Sequence, residues 1–144
     1  SEDRLVFAAR APMDQHIARM RLANLFLDTA PYNAHTTASD ALWAGLPVLT
    51  CTGKSFASRV ASSLLNAVGL SELAVGSDEE YIEAAVNLAT DHARLGTIRS
   101  KLEAHQSEHP LFDTVSYVQG LEKAFVKMHA LSIAGEPATT FYID

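Results

Sequence analysis

Short apolar runs alternate with longer segments of helical periodicity along this chain, and this alternation constrains its fold more than any other feature. Four runs have the length of buried strands and end at turn or helix-start residues: 4–9, 24–28, 47–50 and 73–75. The other segments predict helices that begin near Pro12 and at Ser77, and helices over 35–44, 55–68, 92–105 and 114–131. Strands and helices in this order are typical of βαβ units. We therefore predict an α/β fold with a Rossmann-like parallel sheet and helices on both of its faces.

Local patterns predict how two of these helices begin and which faces they bury. Thr37 and Asp40 approximate a capping box at the start of the helix over 35–44, with Asp in place of the usual Glu. Trp43, near the end of that helix, is expected in the core. The helix over 55–68 is expected to bury one apolar stripe of residues spaced by four: Phe56, Val60, Leu64 and Val68.

Composition narrows the class of protein. The 144 residues fit one domain, and 48% apolar and 19% charged residues are typical of a folded globular chain. The formal net charge is −6 without any run of Lys or Arg, so binding to nucleic acid, which needs a basic face, is not expected. The single cysteine, Cys51, excludes an internal disulfide and a Cys-rich zinc site, and it fits a reducing cytoplasm. No apolar stretch approaches the roughly 20 residues of a membrane helix, so we predict a cytoplasmic protein that does not bind membranes.

The start of the chain is expected to be a boundary inside a longer protein. It begins with Ser1 rather than Met and reaches the apolar run Leu5-Val6-Phe7 almost at once, without the pattern of a signal peptide.

Ligands of parallel α/β sheets bind at the carboxyl ends of the strands, where helix N-termini point. In this chain that rule selects residues 9–14, 28–37 and 50–55. The second segment is the most informative, because His35, Thr36 and Thr37 lie in the first turn of a predicted helix. Unpaired amides, the positive end of the helix dipole and two hydroxyls favour a diphosphate there without a metal, and Asp40 suits ribose hydroxyls. Taken alone, these residues are better explained by ordinary N-capping.

Two further groups of polar residues are weaker candidates. His16 and Arg19 share one face of the first helix and, with Ala11 and Pro12 before them, suit a flat base; the alternative is a solvated helix surface. Arg59 is placed to approach a phosphate, or is simply an exposed cation. Gly53-Lys54-Ser55 is similar to the end of a phosphate loop, but that motif requires a glycine at position 48, which is Val here, and a P-loop is therefore not favoured.

Longer motifs give the sequence a specific resemblance. Residues 27–50 read LDTAPYNAHTTASDALWAGLPVLT, residues 58–65 read SRVASSLL and residues 110–114 read PLFDT. In these motifs, and from about Arg4 to Met128, the chain resembles the O-linked N-acetylglucosamine transferase family.

The resemblance implies a GT-B architecture, in which two Rossmann-like lobes hold a sugar nucleotide between them. Residues 1–131 would be the donor-nucleotide-binding second lobe of a larger enzyme, and 132–144 a C-terminal tail. The family carries tetratricopeptide repeats and a first lobe ahead of this segment, and these would be its partners within the same polypeptide. The implied activity is inverting transfer of a sugar from a UDP-sugar, UDP-N-acetylglucosamine, to Ser or Thr hydroxyls of an acceptor protein, with no metal and no other cofactor.

The resemblance also assigns site residues. The family's base contacts fall on Ala11, His16 and Arg19, its diphosphate contacts on His35, Thr36 and Thr37, and its ribose contact on Asp40. No catalytic residue falls within this chain. One position departs from the family pattern, because Met13 stands where the family has a lysine.

Two alternatives remain open. The first is a lobe of a GDP-fucose-dependent protein O-fucosyltransferase, although such proteins are threonine-rich where this chain has Asn33-Ala34-His35. The second is a doubly wound binding module without catalysis, which Met13 favours.

Overall fold

The computed structural model describes residues 2–104 and 109–143. Within it the chain forms two compact units, residues 1–106 and 107–144. The first unit holds all the strands found in the described part of the chain.

The sheet of the first unit has three parallel strands. β1 (Phe26–Leu27), β2 (Val48–Cys51) and β3 (Ala74–Val75) lie in the order β1-β2-β3. Phe26 pairs with Val48, and Thr50 pairs with Ala74. The strands predicted at 24–28, 47–50 and 73–75 are thus confirmed, in shorter form at the first.

Helices connect and follow these strands. The α-helices are α1 (Met13–Met20), α2 (Thr36–Trp43), α3 (Val60–Ala67), α4 (Asp78–Thr90), α5 (His92–Ala104) and α6 (Thr114–Ile133). Three short 3-10 helices cover Glu2–Arg4, Phe56–Ser58 and Ser71–Leu73. The last residue predicted for the fifth helix, 105, lies outside the described residues.

The central strand shows that helices cover both faces of the sheet. Val48, Leu49 and Thr50 are consecutive, so they point alternately to opposite faces, and all three are fully buried. α2, α3 and α4 all pack against β2. This arrangement confirms the predicted Rossmann-like parallel sheet. The core of the first unit is formed by apolar side chains of its strands and helices, including Ala38, Leu42, Leu46, Ala61, Leu65, Leu70, Leu73, Leu88, Ile98 and Leu102.

Local sequence explains where several helices begin and end. The Ser77 side chain accepts a hydrogen bond from the Glu80 amide and caps α4, as predicted. Gly45 and Gly69 follow α2 and α3 with φ angles of 79° and 69°, a left-handed conformation that glycine adopts without strain. Asp113 caps α6 by accepting from the Ser116 amide.

The strand predicted at 4–9 is wrong. Residues 2–4 form a 3-10 helix, and residues 5–9 have no regular structure and are exposed. An apolar run becomes a strand only when a neighbouring strand supplies hydrogen bonds. No strand of the described residues pairs with this segment, and Phe7 is 92% exposed.

The predictions for the helix over 55–68 need two corrections. The segment divides at Arg59, whose φ of −125° is not helical, into the 3-10 turn and α3. Helical spacing therefore does not continue across Arg59. The buried residues of α3 are Ala61, Ser62 and Leu65, followed by Val68, while Phe56 is exposed.

Two predictions for α2 are also wrong. His35, not Thr37, is the N-cap residue, and its side chain makes no capping bond, so the capping box of Thr37 and Asp40 does not form. Trp43 is 48% exposed because it lies on the outer face of the last turn, whereas Ala41 and Leu42 face the core.

In the second unit the C-terminal segment folds back on α6. The Lys127 ammonium lies 4.8 Å from the centre of the Phe141 ring and donates a 3.3 Å hydrogen bond to the Tyr142 carbonyl. Among the described residues, no helix is both long enough and apolar enough to span a membrane.

Candidate functional site

The carboxyl ends of the three parallel strands bring three loops to one rim of the sheet. The loop after β1 leads into α2, the loop after β2 leads into the 3-10 turn at Phe56–Ser58, and the loop after β3 leads into α4. These loops touch. The Asn33 amide group donates to the Cys51 carbonyl at 3.4 Å, and the Tyr81 hydroxyl donates to the Asp28 carbonyl at 2.9 Å.

Asp28, the first residue after β1, is buried and anchors the loop to α2. Its Oδ1 atom accepts hydrogen bonds from the amides of Thr29 (2.8 Å) and Ala34 (2.7 Å). Its Oδ2 atom accepts a 2.6 Å bond from the Thr50 hydroxyl in β2. Both ends of the loop are therefore held by one carboxylate, and hydrogen bonds to a charged acceptor are stronger than neutral ones.

Asn33 holds the same loop from inside. It is 1% exposed, its Nδ2 atom donates to the Thr29 carbonyl at 3.0 Å, and its backbone amide donates to the Ala57 carbonyl at 3.0 Å. Its Oδ1 atom is buried without a hydrogen-bond partner in the described structure. The Ala30–Pro31 peptide bond in this loop is cis. Few of the loop's polar groups are left free to rearrange.

The first turn of α2 begins where this loop ends. An α-helix leaves its first amides without helical partners, and these belong here to Thr36, Thr37 and Ala38. The side chains of Thr36 and Thr37 are exposed and make no hydrogen bond to any described residue. Asp40 lies one turn further and is half-buried. Thr36 and Thr37, two of the three predicted diphosphate residues, thus present unbonded donors side by side at the rim of the sheet.

His35 is held between two aromatic rings. Its ring stacks on Tyr32 with centroids 5.0 Å apart, and it meets the edge of the Phe56 ring at 5.9 Å. Its Nε2 atom lies 3.5 Å from the Ala57 carbonyl. These contacts fix the direction of the imidazole beside the first turn of α2.

Ala11 and His16 line an open groove of about 590 Å³ together with Arg10, Pro12 and Met13. Arg19 completes the predicted base-binding group from one turn along α1. Its guanidinium donates to the Ala9 carbonyl at 3.0 Å and lies 3.1 Å from Nδ1 of His16. Because a guanidinium has no acceptor, that contact places the proton of a neutral His16 on Nε2, which is then a free donor. α1, which supplies part of this groove, packs against α2, the helix that carries Thr36 and Thr37.

The Arg59 side chain is hydrogen-bonded within its own loop. Its Nε atom donates to the Ser55 carbonyl at 3.3 Å, and Ser55 and Ser58 cap each other reciprocally. Gly53 lies so close to Ser58 that an added Cβ would be 2.4 Å from its Oγ atom. This loop gives the β2 end of the rim a fixed shape.

Two titratable groups behind the rim are held neutral. The pKa of the Cys51 thiol is raised by partial burial, and then by the negative charges of Asp78, Glu80 and Glu79. The pKa of Tyr81 is raised by burial, and then by Asp28 and Cys51. Neither group is therefore activated as a nucleophile or base at neutral pH.

Comparison with known proteins identifies the family. Residues 1–121 match the model of glycosyl transferase family 41. The chain belongs to glycosyltransferase family 41. This membership confirms the resemblance seen in residues 27–50, and it gives the contacts at the rim of the sheet a chemical context.

Two similar relatives carry family 41 activities in their names. The chain is 40% identical to a probable UDP-N-acetylglucosamine–peptide N-acetylglucosaminyltransferase, SEC, from Arabidopsis thaliana, and the match covers 98% of this chain and 14% of that protein. It is 38% identical to the UDP-N-acetylglucosamine–peptide N-acetylglucosaminyltransferase of Caenorhabditis elegans, over 93% of this chain and 12% of that protein.

A solved structure shares the fold. A mutant of the Thermobaculum terrenum O-GlcNAc transferase superposes with a TM-score of 0.82 at 36% identity, covering 88% of this chain and 24% of that one. The family 41 chain described here thus spans only a minor part of the proteins it matches. Its parallel sheet and helices agree with the GT-B fold of that transferase.

Sequence reasoning missed the residues that support the site. Asp28 was seen only as the end of a predicted strand, and Asn33 only as part of the Asn33-Ala34-His35 stretch. Tyr32 and Phe56 were not connected with His35. An Asp directly after a buried strand, with an Asn before the next helix, is a pattern of side chains that bond to loop amides. That pattern was available in the sequence, but the partners in β2 and α4 were not.

Proposed function

We propose that residues 1–131 are the donor-nucleotide-binding lobe of a family 41 enzyme, with residues 132–144 as its tail. The enzyme transfers N-acetylglucosamine from UDP-N-acetylglucosamine to Ser or Thr hydroxyls of acceptor proteins, with inversion at the anomeric carbon. One observation carries the proposal: the unpaired first turn of α2, with exposed Thr36 and Thr37, lies at the rim formed by the carboxyl ends of the strands.

In this proposal the diphosphate lies against the start of α2. The amides of the first turn and the hydroxyls of Thr36 and Thr37 donate to its oxygens, and the positive end of the helix dipole favours its charge. The imidazole of His35, directly before that turn, also contacts the diphosphate. Asp40, one turn along, accepts from the ribose hydroxyls.

The base occupies the groove of Ala11 and His16. The free Nε2 proton of His16 and the guanidinium of Arg19 are donors that suit the carbonyl oxygens of uracil. Met13, 63% exposed in the same groove, offers an apolar surface where the related enzymes are expected to carry a lysine. We therefore expect weaker nucleotide binding than in a lobe with that lysine.

During transfer, negative charge grows on the departing diphosphate as the bond to the sugar breaks. Donors fixed in advance stabilise that charge without reorganisation. We propose that the α2 turn supplies this stabilisation without a metal or other cofactor. The group that takes the proton of the acceptor hydroxyl lies in the first lobe of the same polypeptide, beyond this chain. The tetratricopeptide repeats expected ahead of that lobe, and a cytoplasmic location, belong to the same proposal.

Titration calorimetry with UDP and GDP tests the binding. We expect UDP to bind more tightly than GDP, and we expect the double change Thr36→Ala and Thr37→Ala to weaken UDP binding by about tenfold or more. The matched control is Thr90→Ala with Thr97→Ala, which removes two exposed helix hydroxyls away from the rim. Tighter binding of GDP would support the fucosyltransferase alternative, and absence of any nucleotide binding would support the non-catalytic module.

The division of the active site between two lobes has its own test. We expect the isolated 144-residue chain to bind UDP weakly and to transfer no sugar to an acceptor peptide, whereas the full-length enzyme transfers it. Turnover by the isolated chain would show that the division is wrong.

A further inference from the structure

Asp28 makes no contact with the proposed ligand positions, yet its carboxylate determines the path of the loop that reaches them. The side chain is 7% exposed and receives three donors: the Thr29 amide, the Ala34 amide and the Thr50 hydroxyl. Among the described residues it forms no salt bridge. These three hydrogen bonds are therefore the interactions that stabilise its buried charge in the described structure.

The geometry of these bonds closes the loop into a ring. A single oxygen, Oδ1, accepts from the first residue after Asp28 and from Ala34, which directly precedes the N-cap residue His35. The other oxygen is bonded to Thr50 in the centre of the sheet, at a residue that is 0% exposed. The start of α2 is thus tied to the central, buried strand of the sheet through one side chain.

We propose that Asp28 is a positioning residue for diphosphate binding: it aims the first-turn amides of α2 and the hydroxyls of Thr36 and Thr37 at the ligand. This inference rests on the proposed function and adds to it a residue outside the ligand contacts. A helix start that is held in place binds an anion without first being ordered, whereas a loop free to move must be ordered on binding.

The inference separates two parts of the nucleotide. The diphosphate donors depend on Asp28 through Ala34 and His35. The groove of Ala11 and His16 is built on α1 and on the Arg19 contacts, and it has no hydrogen bond to this loop among those described. Asp40, the proposed ribose contact, lies further along α2, where the buried Ala41 and Leu42 hold the helix against the core. Loss of Asp28 should therefore weaken binding of the diphosphate far more than binding of the nucleoside.

The test compares binding of UDP and of uridine by calorimetry in the full-length enzyme, at a temperature well below its unfolding transition. For Asp28→Ala we expect the Kd of UDP to rise by about tenfold or more, and that of uridine to stay within about twofold. Asp28→Asn should restore UDP binding to within about threefold. Its side-chain oxygen still accepts from both amides, and its NH₂ group donates to the Thr50 hydroxyl.

Two further variants separate a positioning role of Asp28 from a general loss of stability. Leu102→Ala, in the core on α5, should lower the unfolding temperature while leaving both Kd values unchanged. Should Asp28→Ala fail to fold, Thr50→Val removes one donor to the same carboxylate, and it should raise the Kd of UDP about threefold without changing that of uridine.

The inference is overturned if Asp28→Ala, or Thr50→Val in its place, binds UDP as tightly as the parent enzyme. It is equally overturned if UDP and uridine lose affinity by the same factor, because the residue would then act on the whole lobe. Failure of the proposed function is distinguishable, since in that case the unaltered enzyme does not bind UDP.

Discussion

Replacing Asn33 by Asp tests how tightly the loop before α2 is held. The Asn33 side chain is buried, and its NH₂ group donates to the carbonyls of Thr29 at 3.0 Å and Cys51 at 3.4 Å. A carboxylate in its place has no donor and would direct an oxygen at two carbonyl oxygens. The substitution changes almost no volume, so its effect reports on hydrogen bonding and charge.

The expected magnitude follows from those two bonds. A typical hydrogen bond contributes about 1 kcal/mol, and the 3.4 Å bond less, so Asn33→Ala should reduce the free energy of unfolding by about 2 kcal/mol. Asn33→Asp also buries an unpaired charge, and at pH 8 we expect a loss of about 4 kcal/mol.

The difference between the variants should depend on pH. Burial and the facing carbonyls raise the folded-state pKa of the new carboxyl group above its unfolded value. Stability of Asn33→Asp is then highest below the unfolded pKa, and falls as pH rises through the folded one. Near pH 5 the protonated carboxyl can donate one bond, so the loss should shrink to about 2 kcal/mol.

Urea unfolding followed by circular dichroism at pH 5 and pH 8 measures these differences. Asn24→Asp, at an exposed position, is the control for the general effect of an added charge. Equal stability of Asn33→Asp and Asn33→Ala at pH 8 would refute the reasoning, since the carboxylate would then not be buried against the carbonyls of Thr29 and Cys51.

Two further predictions concern the Gly53 loop, with Gly96 in α5 as its comparison, and the Cys51 thiol. Gly53→Ala should destabilise the fold by about 1–3 kcal/mol, because its Cβ would lie 2.4 Å from the buried Ser58. Gly96→Ala, in the interior of α5 with open space around it, should stabilise the fold by about 0.5–1 kcal/mol. Unfolding curves that show both variants stabilised, or both destabilised, would contradict this. Alkylation of Cys51 should show a pH midpoint above that of a free cysteine, and Asp78→Asn should lower that midpoint. Because the folded-state pKa of Cys51 is raised, the thiol contributes stability below its unfolded-state pKa, and this contribution is lost as pH rises through the folded-state pKa. An alkylation midpoint equal to that of a free thiol would be evidence against the raised pKa.

The sequence predicted local features of the structure better than features that depend on distant residues. The runs at 24–28, 47–50 and 73–75 became strands because each lies beside another run in the same sheet. The run at 4–9 is equally apolar, but no strand of the described residues pairs with it. Helix limits at Ser77, Gly45 and Gly69 were predictable, because caps and stops depend on neighbouring residues.

The residues of the candidate site also differ in how well the sequence predicted them. The residues proposed to contact the ligand were assigned from the family motifs that they match, and the diphosphate group also lies at a predicted helix start. The residues that hold this helix start were not, because their partners are far along the chain. Asn33 bonds to Cys51, 18 residues away, and Tyr81 bonds to Asp28, 53 residues away. Periodicity and spacing carry no signal for such pairs.

The bond between Asp28 and Thr50 also selects which alignment of β1 on β2 is stable. With Leu27 paired to Leu49, the next residues along the two strands are Asp28 and Thr50. A shift of β1 by two residues toward the start of β2 would place the carboxylate beside Val48, which cannot donate a hydrogen bond. That alignment is therefore penalised by a buried charge that has lost its hydroxyl donor.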